Sequence, residues 1–393
     1  MKRGIFLTGL LCMLSFAYGQ ENKEENGAEK ILNSLSDKKL VIGGYGQIDY
    51  NQPLKSGTSQ NGKLDVHRLV LLFGYQFNER TQLVTEVEYE HVKEVYIEQA
   101  FINYKIVSGL NFNGGLMLIP MGIINEYHEP TTYNGVERPN VDSYIVPTTW
   151  REIGAGFNGN IPGASLNYKL YVVNGFNGYS DDKGTLGGSK GLRSGRQKGA
   201  ESYISSPNVS ARVDYYGIPG LQVGLSGYFG KTQSELFHNL DKSDKVARAE
   251  ADSSVVGVRM IGLDYRYKNG AFHSRGQLIY NSLTNTNQYN QFTGKDLGAE
   301  MLGAYVEVAY DLFRNNTSVK NELTPFVRYE YYDTHQNTDG IVANDKYKVS
   351  EIVAGLGYKV ADGVVFKADM QFRKPASEDK FATTLNMGIG FWF

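Results

Sequence analysis

From Leu40 to the last residue, Phe393, apolar and polar residues alternate one by one in stretches separated by clusters of Gly, Asn, Asp and Pro. A period of two is the mark of a strand whose faces meet different surroundings. The final stretch, TTLNMGIGFWF, shows it plainly: Leu385, Met387, Ile389, Phe391 and Phe393 share one face, and Asn386, Gly388, Gly390 and Trp392 share the other. At 363–374, Val364, Phe366, Ala368, Met370 and Phe372 alternate with Lys367, Asp369, Gln371 and Arg373. At 205–217, Val209, Ala211, Val213 and Tyr215 oppose Ser210, Arg212 and Asp214; at 164–174, Leu166, Tyr168, Leu170 and Val172 oppose Asn167 and Lys169. At 297–312 the apolar set from Leu302 to Leu312 opposes Glu307 and small residues. An Arg or Lys aimed at lipid near the bilayer midplane costs ~2–4 kcal/mol, so the charged face must look into water. Two stretches break the alternation. Glu98 shares parity with Ala100, Ile102 and Tyr104, and Arg259 with Ile261 and Leu263. A bulge, or a position above the apolar band, accounts for each.

Sixteen such stretches are predicted: 40–50, 64–77, 81–91, 93–107, 109–119, 150–159, 164–174, 205–217, 220–231, 254–268, 270–283, 297–312, 321–332, 346–360, 363–374 and 383–393. The connections alternate. Tight turns at Phe77, Val107, Asn160, Gly217, Lys268 and Ala361, and a slightly longer one at 315–320, face long loops at 51–63, 120–149, 174–204, 232–253, 284–296, 333–345 and 375–382; one turn of the long set, near Val92, is short. Short turns on one side and long loops on the other belong to an all-β, transmembrane, antiparallel up-and-down barrel, not to a soluble sandwich. About sixteen strands leave an interior wide enough for water. A soluble sheet gains little from an edge ending in bare aromatics, whereas a closing barrel strand places them in the interfacial belt.

Composition agrees. The 393 residues include 28 Tyr, 19 Phe and 45 Gly but 10 Pro, with a net charge of −2. Past the N-terminus no apolar run approaches the ~18 residues of a membrane helix. Residues 1–19 have the form of a signal peptide: Lys2 and Arg3, an apolar region from Gly4 to Phe16, then Ala17-Tyr18-Gly19 before a cleavage point. Cys12, the single cysteine, lies in that region, so the mature chain has neither disulfide nor thiolate chemistry. Residues 20–39, with Ile31, Leu32 and Leu35 at helical spacing, are expected to be a periplasmic lead-in; 40–393 form the barrel.

The long stretch 120–149, the third outer loop by this count, is rich in Pro, Gly and charge: Glu126, His128, Glu129, Glu137, Arg138 and Asp142, with Arg151 just beyond. Basic residues of inward parity are Arg68, Lys169, Arg212, Arg275, Arg328, Lys367 and Arg373; acidic ones are Glu86, Glu88, Glu90, Asp214, Glu307, Glu330, Glu351 and Asp369. Many could pair across neighbouring strands, giving a stiffened, wetted wall rather than an anion track. The glycine-rich run at 174–204, carrying Lys190, Arg193, Arg196 and Lys198, is either an electropositive vestibule that meets lipopolysaccharide or a solvated loop. Six scattered histidines, with no HExxH, GxSxG or nucleotide-binding glycine motif, argue against an enzyme; no cofactor, metal or nucleic acid is expected. Glu126, His128 and Glu129 lack a second ligand cluster in sequence and fit a pore rim better than a metal site.

Between Asp65 and Gly159, Arg68 within VHRLVLLFGY, EQAFINY at Glu98, LIPMG at Leu118 and ERP at Glu137 resemble the phosphate-selective porins of the O and P type found in Bacteroidota. The later strand order extends the likeness over nearly the whole mature chain. The aromatic last strand ending in Phe393 also resembles the signature that barrel-insertion machinery reads. The resemblance implies a bacterial outer-membrane porin, usually a homotrimer, whose third loop folds into the lumen and narrows it. On that reading Glu126, His128, Glu129, Glu137, Arg138 and Arg151 line the constriction, because fixed charges in a narrow passage set ion preference. Otherwise the loop merely covers the mouth. Passive diffusion of ions, anions such as phosphate among them, and of small polar solutes is the expected function; a surface-binding or adhesin barrel with a closed lumen is the alternative.

Overall fold

The computed structural model describes residues 25–55, 57–316 and 318–393; the segment with the form of a signal peptide lies outside the described residues. The first seven strands are β1 (Leu40–Leu54), β2 (Lys63–Gln76), β3 (Thr81–Glu90), β4 (Glu94–Val107), β5 (Leu110–Leu118), β6 (Arg151–Ile161) and β7 (Leu166–Val173). Then come two short strands, β8 (Asn177–Ser180) and β9 (Lys183–Gly184), followed by β10 (Asn208–Ile218), β11 (Leu221–Lys231) and the short β12 (Gln233–Ser234). The chain continues with β13 (Gly257–Asn269), β14 (Phe272–Thr284), β15 (Glu300–Tyr310) and β16 (Glu322–Asn337). It ends with β17 (Lys348–Ala361), β18 (Val364–Pro375) and β19 (Ala382–Trp392). Apart from β8, β9 and β12, which form a small sheet of their own, the strands close into one barrel of sixteen in chain order. Each barrel strand falls on a predicted stretch.

The seam is made by the two ends of the chain. β1 pairs antiparallel with β19, placing Ile48 opposite Ile389 and Tyr50 opposite Met387. Gly44 and Phe393 exchange backbone hydrogen bonds, 2.9 Å and 3.0 Å long. With no edge left, the ladder has no unpaired row of amides, as hydrocarbon surroundings demand. Alternation along the strands holds: Ile42, Leu263, Phe366, Met387 and Phe393 are exposed, whereas Arg212, Asp264, Glu307, Asp369 and Asn386 are buried on the inner side.

Both irregular stretches now have causes. Glu86 lies opposite Gln99 but Val87 opposite Ile97, so Glu98 is an extra, unpaired residue in β4. That bulge turns Glu98 and Gln99 together into the buried interior, as bulges do when they re-aim a side chain. A second shift, between Gln47 opposite Arg68 and Ile48 opposite Val66, makes His67 the extra residue of β2; it is half-buried and meets Asp49. Arg259 keeps its outward, exposed position two residues into β13, near the long-loop end.

Apolar side chains pack part of the interior. An apolar cluster runs through it from Ile31, Leu35, Tyr45 and Leu72, through Ile119, Met121, Ile123 and Ile145, to Trp150, Phe176, Leu186 and Tyr289. The side chains of 120–149 seat over inward glycines: a Cβ on Gly303 would strike Ile145 and Val141, and one on Gly262 would approach Met121.

Helix α1 (Gly27–Ser34) forms where the helical spacing predicts, started by a capping box in which the Asn26 side chain accepts from the Glu29 amide. It packs at the short-turn end, Ile31 and Leu35 lying over Gly74, with Lys30 above the Trp392 ring. Replacing Gly74 with Leu should expel α1 and leave the barrel closed. Limited proteolysis should then cut between residues 27 and 39, while the heat-dependent electrophoretic mobility of a folded barrel persists.

Candidate functional site: the charged inner wall and the 120–149 segment

Between β5 and β6, most of the 120–149 segment is buried, α2 (Val141–Tyr144) included. A backbone leaving regular structure must find other partners for its amides and carbonyls. Here the inward side chains of the wall supply them. Bases donate to carbonyls: Lys367 Nζ to Tyr133 (2.6 Å) and Gly135 (2.9 Å), and Arg275 to Thr132 (2.7 Å). Acids accept from amides: Asp369 from Val136 (2.7 Å) and Glu330 from Val141 (3.1 Å). Neutral groups act likewise, Gln277 on Ile123, Gln47 on Val136 and Asn281 on Ile145.

The remaining charge is paired within the wall. Arg212 forks onto Asp264 at 2.8 Å and meets Asp214 at 2.7 Å. Arg275 and Arg328 flank Glu307 at 2.7 and 3.2 Å, and Arg328 also meets Glu330 at 2.7 Å. Arg68 pairs with Glu88 at 3.3 Å. Arg373 is half-buried and donates to the Tyr332 hydroxyl. Opposite signs thus meet within a strand (Arg212–Asp214, Arg328–Glu330), between neighbouring strands (Arg275–Glu307, Arg68–Glu88) and, for Arg212–Asp264, across the Gly224 position of β11.

The six residues expected at the constriction are spread around the barrel. Glu126 pairs with Lys169 of β7 and lies near Arg212. Glu137 accepts from Asn51 of β1, and Glu129 from the Gly27 amide that opens α1. Arg138 donates to the His128 carbonyl. His128 is enclosed by Tyr45, Glu86 and Glu98. Arg151 approaches the Thr149 carbonyl and the Tyr96 ring. Asn134, Gln277, Asn281 and Glu152 carry much of the contact and were not singled out in sequence, while Asp142, named among the loop charges, accepts from Gln277. Their inward parity was the available signal for Gln277, Asn281 and Glu152.

Toward the long-loop end the apolar contacts take over. Trp150 stacks on Phe176 at 4.5 Å and meets Tyr228 edge-on at 4.6 Å, and Glu152 collects the Trp150 indole N–H, the Tyr228 hydroxyl and the Gly175 amide. Arg193 and Arg196 of the glycine-rich run donate to the Thr148 carbonyl, so these two are engaged with the neighbouring loop. Burial and the guanidinium groups of Arg196 and Arg151 push the Lys198 ammonium down. Further round, Asp296 accepts from the Tyr347 hydroxyl (2.7 Å) and the Gly188 amide (2.9 Å), clasping three outer loops. Burial alone would raise its carboxyl, but these donors and the nearby His335 hold it below the usual range. At the short-turn end a cavity of about 300 Å³ is lined by Lys30, Tyr133, Asn134, Glu322, Lys359 and Lys367.

A protein of Aquifex aeolicus described as uncharacterised is 32% identical over 345 residues, covering 84% of this chain and 75% of the relative. No family model matches. Among solved structures, the outer-membrane channel DcaP of Acinetobacter baumannii superposes with a TM-score of 0.58 at 12% identity, over 90% of this chain and 97% of that one. The anion-selective porin of Comamonas acidovorans gives 0.56 at 14% identity, over 90% and 99%. The fold is therefore that of the outer-membrane porins.

Arg328 is fully enclosed, so Arg328→Met should strand Glu330, leave Glu307 to Arg275 alone and destabilise the barrel by about 3–5 kcal/mol. Urea unfolding in lipid vesicles, followed by tryptophan fluorescence, checks this. The depressed Asp296 carboxyl gives a signed pH response: its clasp is intact above the unfolded value of about 4 and loosens as pH falls through the folded value below it. Proteolysis with pepsin near residues 183–191 should rise in that acid range. Asp296→Asn should remove the carboxylate contribution and flatten the transition.

Proposed function

We propose that this chain, which belongs to one family with the Aquifex aeolicus protein, is an outer-membrane channel passing ions and small polar solutes through a narrowed lumen. The observation that carries this reading is the inner wall of a closed sixteen-stranded barrel, charged on almost every strand and bonded to the 120–149 segment from several sides. On this reading the segment folds inward and forms the constriction. Enzymatic chemistry has no part in it.

Anion preference, which the likeness to phosphate-selective O and P porins suggests, draws its support from the short-turn cavity. There Lys30, Lys359 and Lys367 face the space, with Glu322 as the acid of the set. Elsewhere the wall bases are largely neutralised by acids, so selectivity on this reading is set locally rather than by a continuous basic track. Export through the residue 1–19 signal peptide, insertion guided by Phe393, contact with lipopolysaccharide and a homotrimeric assembly complete the proposal.

A specific observation favours a second reading. The apolar cluster joining the 120–149 segment to Trp150, Phe176 and Tyr289 occupies the space that a wide channel would leave to water. A barrel sealed in this way would act through its outer loops, as a surface-binding protein.

In planar bilayers the purified protein should give ohmic channels of small conductance. Silence under all voltages would favour the sealed barrel. In a salt gradient the reversal potential should indicate anion preference, and Lys367→Met should move it toward cations. A cation-selective wild type would remove the phosphate assignment.

A further inference from the structure

We propose that Glu86, Glu98 and His128, with the Tyr45 hydroxyl, form a divalent-cation site that takes Zn²⁺ and fastens the 120–149 segment to the wall. The four side chains come from β3, β4, the segment and β1, and all are buried. His128 Nε2 lies 3.3 Å from a Glu98 oxygen and 3.6 Å from a Glu86 oxygen, and the Tyr45 hydroxyl lies 3.4 Å from the same Glu98 oxygen. Ligands bound at roughly 2.0–2.1 Å around tetrahedral zinc stand about 3.3 Å apart, so these separations are those of tetrahedron edges. The remaining pairs are closer: Tyr45 lies 2.7 Å from Glu86 and 2.9 Å from His128, as hydrogen-bonded neighbours do. A small outward shift of the hydroxyl would admit the ion.

Two further observations point to a ligand. Glu98 is completely buried, yet its Oε1 has no hydrogen-bond partner among the described residues. Such an atom is costly to leave unmatched, and a cation gripped by both oxygens of Glu98, the Oε2 of the contacts above and this Oε1, supplies the match. The other nitrogen of His128, Nδ1, lies 3.2 Å from the Asn125 carbonyl oxygen. Donation from Nδ1–H to that carbonyl leaves the Nε2 lone pair directed at the carboxylates, the arrangement that fixes metal-bound histidines. Gln99 meanwhile donates to the far oxygen of Glu86, orienting that carboxylate. Arg68 turns instead to Glu88 and His67, so among the described residues His128 is the one basic side chain within ion-pair distance of Glu86 or Glu98.

The donor set of one imidazole and two carboxylates suits Zn²⁺, and the enclosure favours few ligands over the six or more oxygens of Ca²⁺. The competing account is an imidazolium held between two carboxylates. A metal-binding experiment separates them. Full-length protein in detergent, stripped with a chelator, should bind a single equivalent of Co²⁺ with the intense visible bands of tetrahedral coordination, and equimolar Zn²⁺ should bleach them. His128→Gln and Glu98→Gln should weaken binding by more than roughly 100-fold. His238→Gln, on an exposed outer loop outside the site, should leave it unchanged. A wild-type Co²⁺ spectrum that stays that of the hydrated ion would overturn the proposal without recourse to any variant. Unaltered binding in a folded His128→Gln would overturn it as well.

Discussion

Inside a cylinder that presents hydrocarbon-facing residues outward, every backbone group that leaves the sheet must be met by something fixed to the wall. That requirement organises the molecule. The ladder meets it for the strands by closing on itself. For residues 120–149 it is met by inward side chains, with acids facing amides and bases facing carbonyls. The charges are therefore part of the fold before they are part of any selectivity. Their mutual pairing, seen around Arg212 and Arg328, fixes their side chains in place along the wall.

The apolar contacts complement this arrangement rather than compete with it. Ile123, Ile145 and Met121 pack where the wall offers glycine, so the segment is held by polar bonds at its backbone and by shape at its side chains. α1 repeats the device at the short-turn end, its Ile31 and Leu35 lying over Gly74. The result is an apolar cluster inside the barrel that joins α1, the 120–149 segment and the outer loops.

The strand order was legible because a two-residue period is local and needs no knowledge of partners. The inward residues Arg212, Glu307, Arg328 and Lys367 followed from parity alone. What escaped were the places where parity is broken or partners are remote. The extra residues at His67 and Glu98 hide their inward direction from any alternating count. The surroundings of His128 lie on strands dozens of residues away, so its neighbours in sequence, Glu126 and Glu129, were the wrong ones to weigh. The buried apolar contacts of Ile123 and Ile124 were not foreseen because these residues follow no strand or helix period and look like ordinary loop residues.

Val136 touches both sides of the seam: its carbonyl accepts from Gln47 on β1, and its amide donates to Asp369 on β18. These two bonds span the place where the terminal strand slots in. They fasten the 120–149 segment to β1 and β18, the two strands that flank β19 on either side. The barrel is thus laced across its closing strand from within as well as along its own ladder.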